Sequence, residues 1–179
     1  MLQVGGKFGN LTPSVMYFYA QGDDKSEDDE NNQGLLTTGT GDMFEPLYIL
    51  TGRHTGMLNN DLFSNNTGNL STAGVHAFIV AADYKVSDAL TLHGAIGYAE
   101  ADEAVQTNAA GAAVAPSYAG RDDEYGWEYN IGAAYKLLDN LTYEAHFGYL
   151  DTGDFFNSTA TSNDAENVYM LSHSLTMTF

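Results

Sequence analysis

The chain has 179 residues, which is enough for one domain with a hydrophobic core, and its formal charge is −18 at pH 7. That acidic balance argues against nucleic acid as a partner, because nucleic acid is bound by basic surfaces. The absence of cysteine excludes disulfide bonds, thiolate zinc sites and a cysteine nucleophile, and no apolar run approaches the roughly 20 residues that a transmembrane helix needs.

Seven stretches alternate between apolar and polar residues, which is the pattern of strands with one apolar face. In chain order, we expect strands at residues 2–9, 11–21, 74–86, 90–99, 124–137, 141–150 and 169–179. Three connections are tight, at Gly9-Asn10, Ser87 to Ala89 and Asp139-Asn140, whereas those at 22–72, 101–123 and 154–165 are longer. The pattern predicts an all-β antiparallel meander of about seven strands, and we interpret residues 1–179 as one domain.

The longest connection, residues 22–72, opens on an acidic run at residues 23–30. Carboxylate oxygens can bind divalent cations, but this run lacks the ligand-glycine-ligand spacing of a calcium loop, which favours a solvated loop tip. Such a tip at a cell surface would still be able to bridge cations to lipopolysaccharide. The middle of the connection, residues 43–50, is apolar enough to dock on another part of the protein, although Pro46 argues against a central strand there.

Two hairpins repeat each other at a constant offset. Tyr84-Lys85-Val86 recurs as Tyr135-Lys136-Leu137, and Gly97-Tyr98 recurs as Gly148-Tyr149, each 51 residues further on (135 − 84 and 149 − 98). A repeated unit of strand, tight turn and strand is how an antiparallel meander is built.

The turn positions predict which inward residues meet across each hairpin. In the first hairpin, Asp83 is expected to face His93, and Lys85 to face Thr91. In the second, pairing about Asn140 predicts that Lys136 faces Glu144 and Ala134 faces His146. These contacts are interpreted either as a charged pore lining that sets ion preference or as pairs that stabilise the sheet.

The last strand, Tyr169 to Phe179, alternates strictly and ends on an aromatic residue. This ending resembles the C-terminal assembly signal of Gram-negative outer-membrane porins, carried here by Leu175, Met177 and Phe179. The resemblance extends over the whole chain, because the tight turns and long connections alternate as in those proteins. The segment M-F-E-P-L-Y, residues 43–48, is similar to large porin-like channels of the alginate-export type.

The resemblance implies an antiparallel transmembrane β-barrel in the bacterial outer membrane, with residues 22–72 as a long extracellular loop. Single-chain bacterial barrels have even strand numbers, and no signal peptide follows Met1, so seven strands predict the C-terminal portion of a larger barrel. The implied partners are outer-membrane lipid and lipopolysaccharide, the barrel-assembly machinery and two further copies in a homotrimer. His173, on the predicted lipid face, is a candidate contact in that trimer.

The implied function is passive diffusion of ions and small hydrophilic solutes through a water-filled lumen, which needs no cofactor or metal and is not enzymatic. The acidic excess predicts a mild cation preference. The expected pore-lining residues are Asp83, Lys85, His93, Glu124, Glu128, Lys136, Glu144 and His146. Two aromatic girdles are expected toward the strand ends, formed by Tyr84, Tyr98, Trp127, Tyr129, Tyr135, Tyr143, Tyr149 and Tyr169, with Phe179 at the inner rim.

Three alternatives remain open. The barrel can serve as a surface anchor or adhesin without a channel. It can also be an outer-membrane enzyme, since Asp83 beside His93 is similar to part of a hydrolase triad, although no Gly-flanked serine accompanies them. A soluble β-sandwich would place the polar face in solvent and the aromatic face against a second sheet.

Overall fold

The computed structural model describes residues 1–20, 47–50, 75–102, 122–157 and 164–179. They form one seven-stranded antiparallel sheet in which neighbours in sequence are neighbours in space. The strands are β1 (Leu2–Gly5), β2 (Leu11–Ala20), β3 (Val75–Lys85), β4 (Leu90–Glu100), β5 (Glu124–Leu138), β6 (Leu141–Thr152) and β7 (Val168–Met177). A 3-10 turn, Asp154–Phe156, follows β6. The predicted all-β meander is therefore confirmed.

The two edges of the sheet are β1 and β7, and no pairing joins them within the described ranges. The acidic run at 23–30 and most of the predicted loop 22–72 lie outside the described residues, as do 103–121 and 158–163. Within the part of the chain that is described, no helix is long and apolar enough to cross a membrane.

The three tight turns and the C-terminus lie at one end of the sheet, called here the tight-turn end. Gly9 takes φ +62° in the first turn, and Phe8 bridges Leu11 across it. At the last strand, the Thr178 N–H donates to the Asn140 carbonyl oxygen at 3.0 Å, which places Phe179 beside the third turn. The predicted phase of short and long connections is confirmed, and the opposite end of the sheet is called the long-connection end.

The register of the first hairpin is as predicted, with Asp83 opposite His93 and Lys85 opposite Thr91. The predicted register of the second hairpin is wrong, because Lys136 pairs with Thr142. An irregularity between Lys136 and Leu138, next to the turn, shifts the pairing of the rest of β5 with β6. The pair Lys136–Thr142 is the pair Lys85–Thr91 displaced by 51 residues, so the hairpins share the register that their sequence repeat implies.

In that register, the remaining predicted partners of the second hairpin also change. Glu144 lies opposite Ala134, and His146 lies opposite Gly132. His146 therefore faces a residue without a side chain, which leaves room above the sheet at this position.

A second irregularity lies where β4 pairs with the start of β5. Ala99 pairs with Gly126 and Glu100 with Glu124, so Tyr125 is an extra residue on β5 and the side-chain direction reverses there. Gly126 takes φ +115° there, and Tyr125 turns to the inner face, where only 1% of it is exposed. Strict alternation along β5 would place Tyr125 on the same face as Trp127, but the two lie on opposite faces, because one extra residue in a strand inverts the side-chain direction.

One face of the sheet, called the outer face, carries large apolar side chains that remain exposed on every strand. They include Val15, Tyr17, Phe78, Val80, Ile96, Trp127, Tyr129, Ile131, Tyr135, Phe147, Leu171 and Leu175. The other face, called the inner face, bears the core. Its buried apolar residues are Leu47, Leu50, Val75, Ala77, Ile79, Ala95, Ala99, Ala101, Tyr125, Leu150 and Phe155.

The position of this core differs from the sequence-based expectation of an inner face that is polar and unpacked. Toward the long-connection end, Phe155 of the 3-10 turn packs on Tyr125 with ring centroids 4.5 Å apart. Residues 47–50 cover the neighbouring part of the same face. Toward the tight-turn end, the inner face carries the polar residues that the alternation predicts, such as Asp83 and His93.

The Ser87–Ala89 turn contains an ion pair that permits a direct test. The Lys85 ammonium lies 2.6 Å from the Asp88 carboxylate, and this hydrogen bond lowers the pKa of Asp88 below its usual 3.8. A lowered pKa in the folded protein means that the contact is present above the ordinary pKa and is lost as the pH falls through the lowered value. In an NMR titration we expect Lys85→Gln to raise the Asp88 pKa more than Lys136→Gln, since Lys136 acts only through a weaker charge effect. Equal effects of the two variants would contradict this origin.

Candidate functional site

The segment Leu47–Leu50 lies on the inner face, against strands β3 to β6. Leu47, Tyr48 and Leu50 are fully buried, and Ile49 is partly buried. The segment belongs to the connection between β2 and β3, so it reaches strands that follow it by about 80 residues in sequence. The expectation that the apolar middle of this connection docks elsewhere in the protein is thus confirmed for residues 47–50.

Glu128 holds the backbone of this segment. Its Oε1 accepts the N–H groups of Tyr48 and Ile49, each at 2.8 Å, and its Oε2 accepts that of Leu50 at 2.7 Å. Glu128 itself is 0% exposed. Consecutive backbone N–H groups form a concave site for an anion, and hydrogen bonds to a carboxylate are about twice as strong as neutral ones. The buried charge and the segment therefore depend on each other.

Side-chain contacts complete the docking. The Tyr48 hydroxyl lies 3.0 Å from His146 Nδ1, and the two rings meet edge to face at 5.1 Å. Glycines on neighbouring strands make the room: a Cβ at Gly97 would come within 2.5 Å of Leu47, and one at Gly132 within 2.7 Å of the Tyr48 oxygen. Gly148 likewise faces the Tyr48 Cβ. The inner face is thus shaped as a glycine-lined groove for residues 47–50.

A cavity of about 110 Å³ lies beside Tyr48, on its tight-turn side, and is called here the polar cavity after the carboxylates and imidazoles among its lining residues. Its walls are Tyr48, Asp83, Thr91, His93, Ala133, Ala134, Glu144 and His146. His93 Nδ1 lies 2.8 Å from Asp83 Oδ1, while His93 Nε2 is buried and has no hydrogen-bond partner in the described structure. The Ser174 hydroxyl donates to Glu144 Oε2 at 3.2 Å.

Most of the predicted pore-lining residues lie on the inner face, but they form different groups. Asp83, His93, Glu144 and His146 come together around the polar cavity, and Glu128 binds the docked segment instead of facing open space. Glu124 is the exception. The irregularity at Gly126 pairs it with Glu100, which accepts a hydrogen bond from the Tyr98 hydroxyl on the outer face.

The lysines form a separate group at the tight-turn end. Lys7 and Lys85 line a cleft of about 250 Å³ together with Gly9, Asn10, Thr12, Asp83 and Thr91. Lys136 lies near the third turn, opposite Thr142. Every lysine or arginine in the described ranges therefore lies at this end of the sheet, whereas the buried Glu128 lies further along the strands.

The residues predicted as aromatic girdles form two bands across the outer face. One contains Tyr98 and Trp127, 5.0 Å apart, and continues through Tyr129 and Tyr149 to Tyr169, which stacks on Tyr149 at 6.4 Å. The other lies toward the tight-turn end, where the register places Tyr84 opposite Leu11 and Tyr135 opposite Tyr143.

The predicted assembly residues lie at the end of β7. Leu175 pairs with Tyr143 and Met177 with Leu141, while Phe179 extends beyond the last pair, fully exposed. His173 is on the outer face, as predicted, with its ring 6.1 Å from that of Tyr143.

One polar cluster on the outer face was not predicted from the sequence. His76 Nδ1 lies 2.8 Å from the Tyr17 hydroxyl, and His76 Nε2 lies 2.8 Å from Asp102 Oδ1. The Tyr19 ring packs over His76 at 4.7 Å. The alternating pattern around His76 gives no sign of these contacts, because Tyr17 is 59 residues away in the sequence.

The contact between Tyr48 and Glu128 was also not predicted from the sequence. Their only sequence signal was the apolar character of residues 43–50. Among the described residues, no three histidine, aspartate or glutamate side chains are grouped to hold a metal ion.

Comparison with family models, with curated proteins and with solved structures finds no match for this chain.

Proposed function

We propose that the chain is part of an outer-membrane β-barrel that acts as a porin-like channel for ions and small hydrophilic solutes. The observation that carries the proposal is the outer face, where large apolar side chains are exposed on all seven strands and two aromatic bands lie toward the strand ends. Lipid is the environment in which such a surface is favourable, and aromatic residues favour its two interfaces. Polar residues on the opposite face are consistent with a watery lumen.

In this proposal the sheet closes through additional strands between its two edges, because open sheet edges are not tolerated in lipid. The tight-turn end would face the periplasm, with Phe179 available to the barrel-assembly machinery. Outer-membrane lipid and lipopolysaccharide would contact the outer face. His173 would lie on that face at a subunit contact of a homotrimer or near the interface.

The docked segment narrows the proposed lumen toward the long-connection end. Solutes would pass Leu47–Leu50 and the carboxylates of the polar cavity, and the lysines would lie at the periplasmic mouth. The acidic excess of the whole chain, −18, supports a mild cation preference.

A second candidate function has its own support, since the core formed by Leu47, Leu50, Phe155 and their neighbours fills part of the inner face. A barrel filled in this way would serve as a surface anchor or adhesin, or as a barrel enzyme, without a continuous channel.

Planar-bilayer recording of the detergent-extracted, full-length protein tests the channel. We expect steady conductance and, in a salt gradient, a reversal potential of cation-selective sign. An anion-selective potential would contradict the cation preference, and the absence of conductance from inserted protein would favour the anchor, adhesin or enzyme. Extraction without detergent, together with the absence of a heat-dependent shift in gel migration, would instead favour a soluble β-sandwich and overturn the membrane proposal.

A further inference from the structure

The polar cavity beside Tyr48 groups carboxylates and imidazoles in a way that passive diffusion does not require. It is about 110 Å³ in volume, room for three or four water molecules at their liquid volume of about 30 Å³ each. Two carboxylates, Asp83 and Glu144, and two imidazoles, His93 and His146, line it, and no lysine or arginine does. A cavity of this composition carries a net negative charge whenever its imidazoles are neutral.

The hydrogen bonds around the cavity leave acceptor capacity on its carboxylates. Asp83 Oδ1 accepts the Nδ1–H of His93 at 2.8 Å, so Nε2 of the neutral ring carries a lone pair. That Nε2 atom is buried and has no partner among the described residues. Glu144 receives one hydroxyl, from Ser174, at Oε2, which leaves acceptor capacity on the same carboxylate.

A ligand that suits these walls is a cation with several N–H donors. A primary ammonium group has three donors and one positive charge, which complement the two carboxylates among the lining residues. The adjacent Tyr48 ring offers an aromatic surface on which the first carbons of such a ligand can pack. A metal ion fits less well, because no three ligating side chains among the described residues are arranged so that they could hold one together.

Two lysines, Lys7 and Lys85, share the neighbouring cleft with Asp83, but neither of them lines the cavity. Lys85 lies two residues from Asp83 on the same face, but its ammonium is paired with Asp88 in the turn at 2.6 Å. The ammonium of Lys85 is thus held toward the turn and not toward His93. Glu128 does not compete for a ligand either, since both of its oxygens accept N–H groups of the docked segment.

We infer that the cavity bounded by Asp83, His93, Glu144 and Tyr48 is a binding site for the primary ammonium group of a small organic solute. This inference extends the proposed channel function by naming a class of solute. It rests on that function only in placing the site inside a lumen. Binding itself can be measured without any conductance.

The test uses the full-length chain in detergent, with ¹⁵N-labelled histidine, titrated with methylammonium chloride. We expect a saturable shift of the His93 ring nitrogens, which are assigned by their loss in His93→Gln. Glu144→Gln and Asp83→Asn should each weaken the apparent affinity by about tenfold or more, because each removes a charge-assisted hydrogen bond. Glu124→Gln is the matched control, since it removes the same charge from the outer face.

The absence of a saturable shift would overturn the site, as would an equal shift with potassium chloride or with sodium acetate. Equal weakening by Glu124→Gln would also overturn it, because the effect would then reflect overall charge. Tetramethylammonium has no N–H donor and should bind at least about tenfold more weakly than methylammonium. Methylammonium binding without bilayer conductance would contradict the channel function and support the binding site. Conductance without methylammonium binding would support the channel function and contradict the binding site.

Discussion

Glu128→Leu is expected to release residues 47–50 from the inner face and to accelerate amide hydrogen exchange at Tyr48, Ile49 and Leu50 by roughly 10²- to 10⁴-fold. The substitution removes the acceptor of three backbone N–H groups, two of which belong to buried residues. A hydrogen bond to a charged group contributes about 1.5–3 kcal/mol, so the loss of two such bonds costs roughly 3–5 kcal/mol, which corresponds to that range of exchange rates. The segment itself keeps its sequence, so the effect reports on docking.

Two further variants make this experiment specific. Glu128→Gln keeps one carbonyl oxygen for Tyr48 and Ile49, but it places an NH₂ group against the Leu50 N–H, so an intermediate effect is expected. Glu124→Leu removes a carboxylate from the outer face and should leave the exchange of the segment unchanged. Unaltered protection of the Tyr48, Ile49 and Leu50 amides in Glu128→Leu would show that the apolar contacts alone hold the segment.

Gly126→Ala is expected to destabilise the protein by more than about 3 kcal/mol, which would appear as a lower temperature of the heat-induced shift in gel migration. Gly126 has φ +115°, a region that residues with a Cβ seldom adopt. A Cβ at this position would overlap the Asp151 carbonyl oxygen and lie 2.7 Å from the Gly153 nitrogen. Both are backbone atoms, so a side-chain rotation cannot relieve the overlap.

The control for this prediction is Gly94→Ala, in the neighbouring strand β4. The nearest atom to a Cβ there is the Asn130 carbonyl oxygen at 3.9 Å, which is ordinary contact. We expect a change within about 1 kcal/mol, as for substitutions away from strained sites. Equal losses at Gly94 and Gly126 would mean that glycine is needed in these strands for a reason other than the bulge.

The architecture could be predicted from the sequence wherever it depends on residues that are close together in the chain. Alternation with a period of two located all seven strands, and the tight turns fixed which connections share an end of the sheet. The register of the second hairpin was also accessible, because applying the 51-residue repeat to Lys85–Thr91 gives Lys136–Thr142. Pairing about Asn140 missed it, since that construction allows no extra residue near the turn.

The candidate site was less accessible because its contacts join distant parts of the chain. Glu128 meets Ile49 across 79 residues, and nothing near either residue encodes that pairing. The inversion at Tyr125 could not be predicted either, because the apolar and polar residues still alternate in the sequence across the bulge. Asp83 and His93 could be placed together because one tight turn joins their strands.

The long reach of the docked segment has a consequence for the order of folding. The three hairpins with tight turns each close a short loop, whereas the contact between Tyr48 and Glu128 spans 80 residues. We therefore expect docking to be the late step of folding, after β4 to β6 have paired. Until then, Leu47 and Leu50 remain available to chaperones or to other chains.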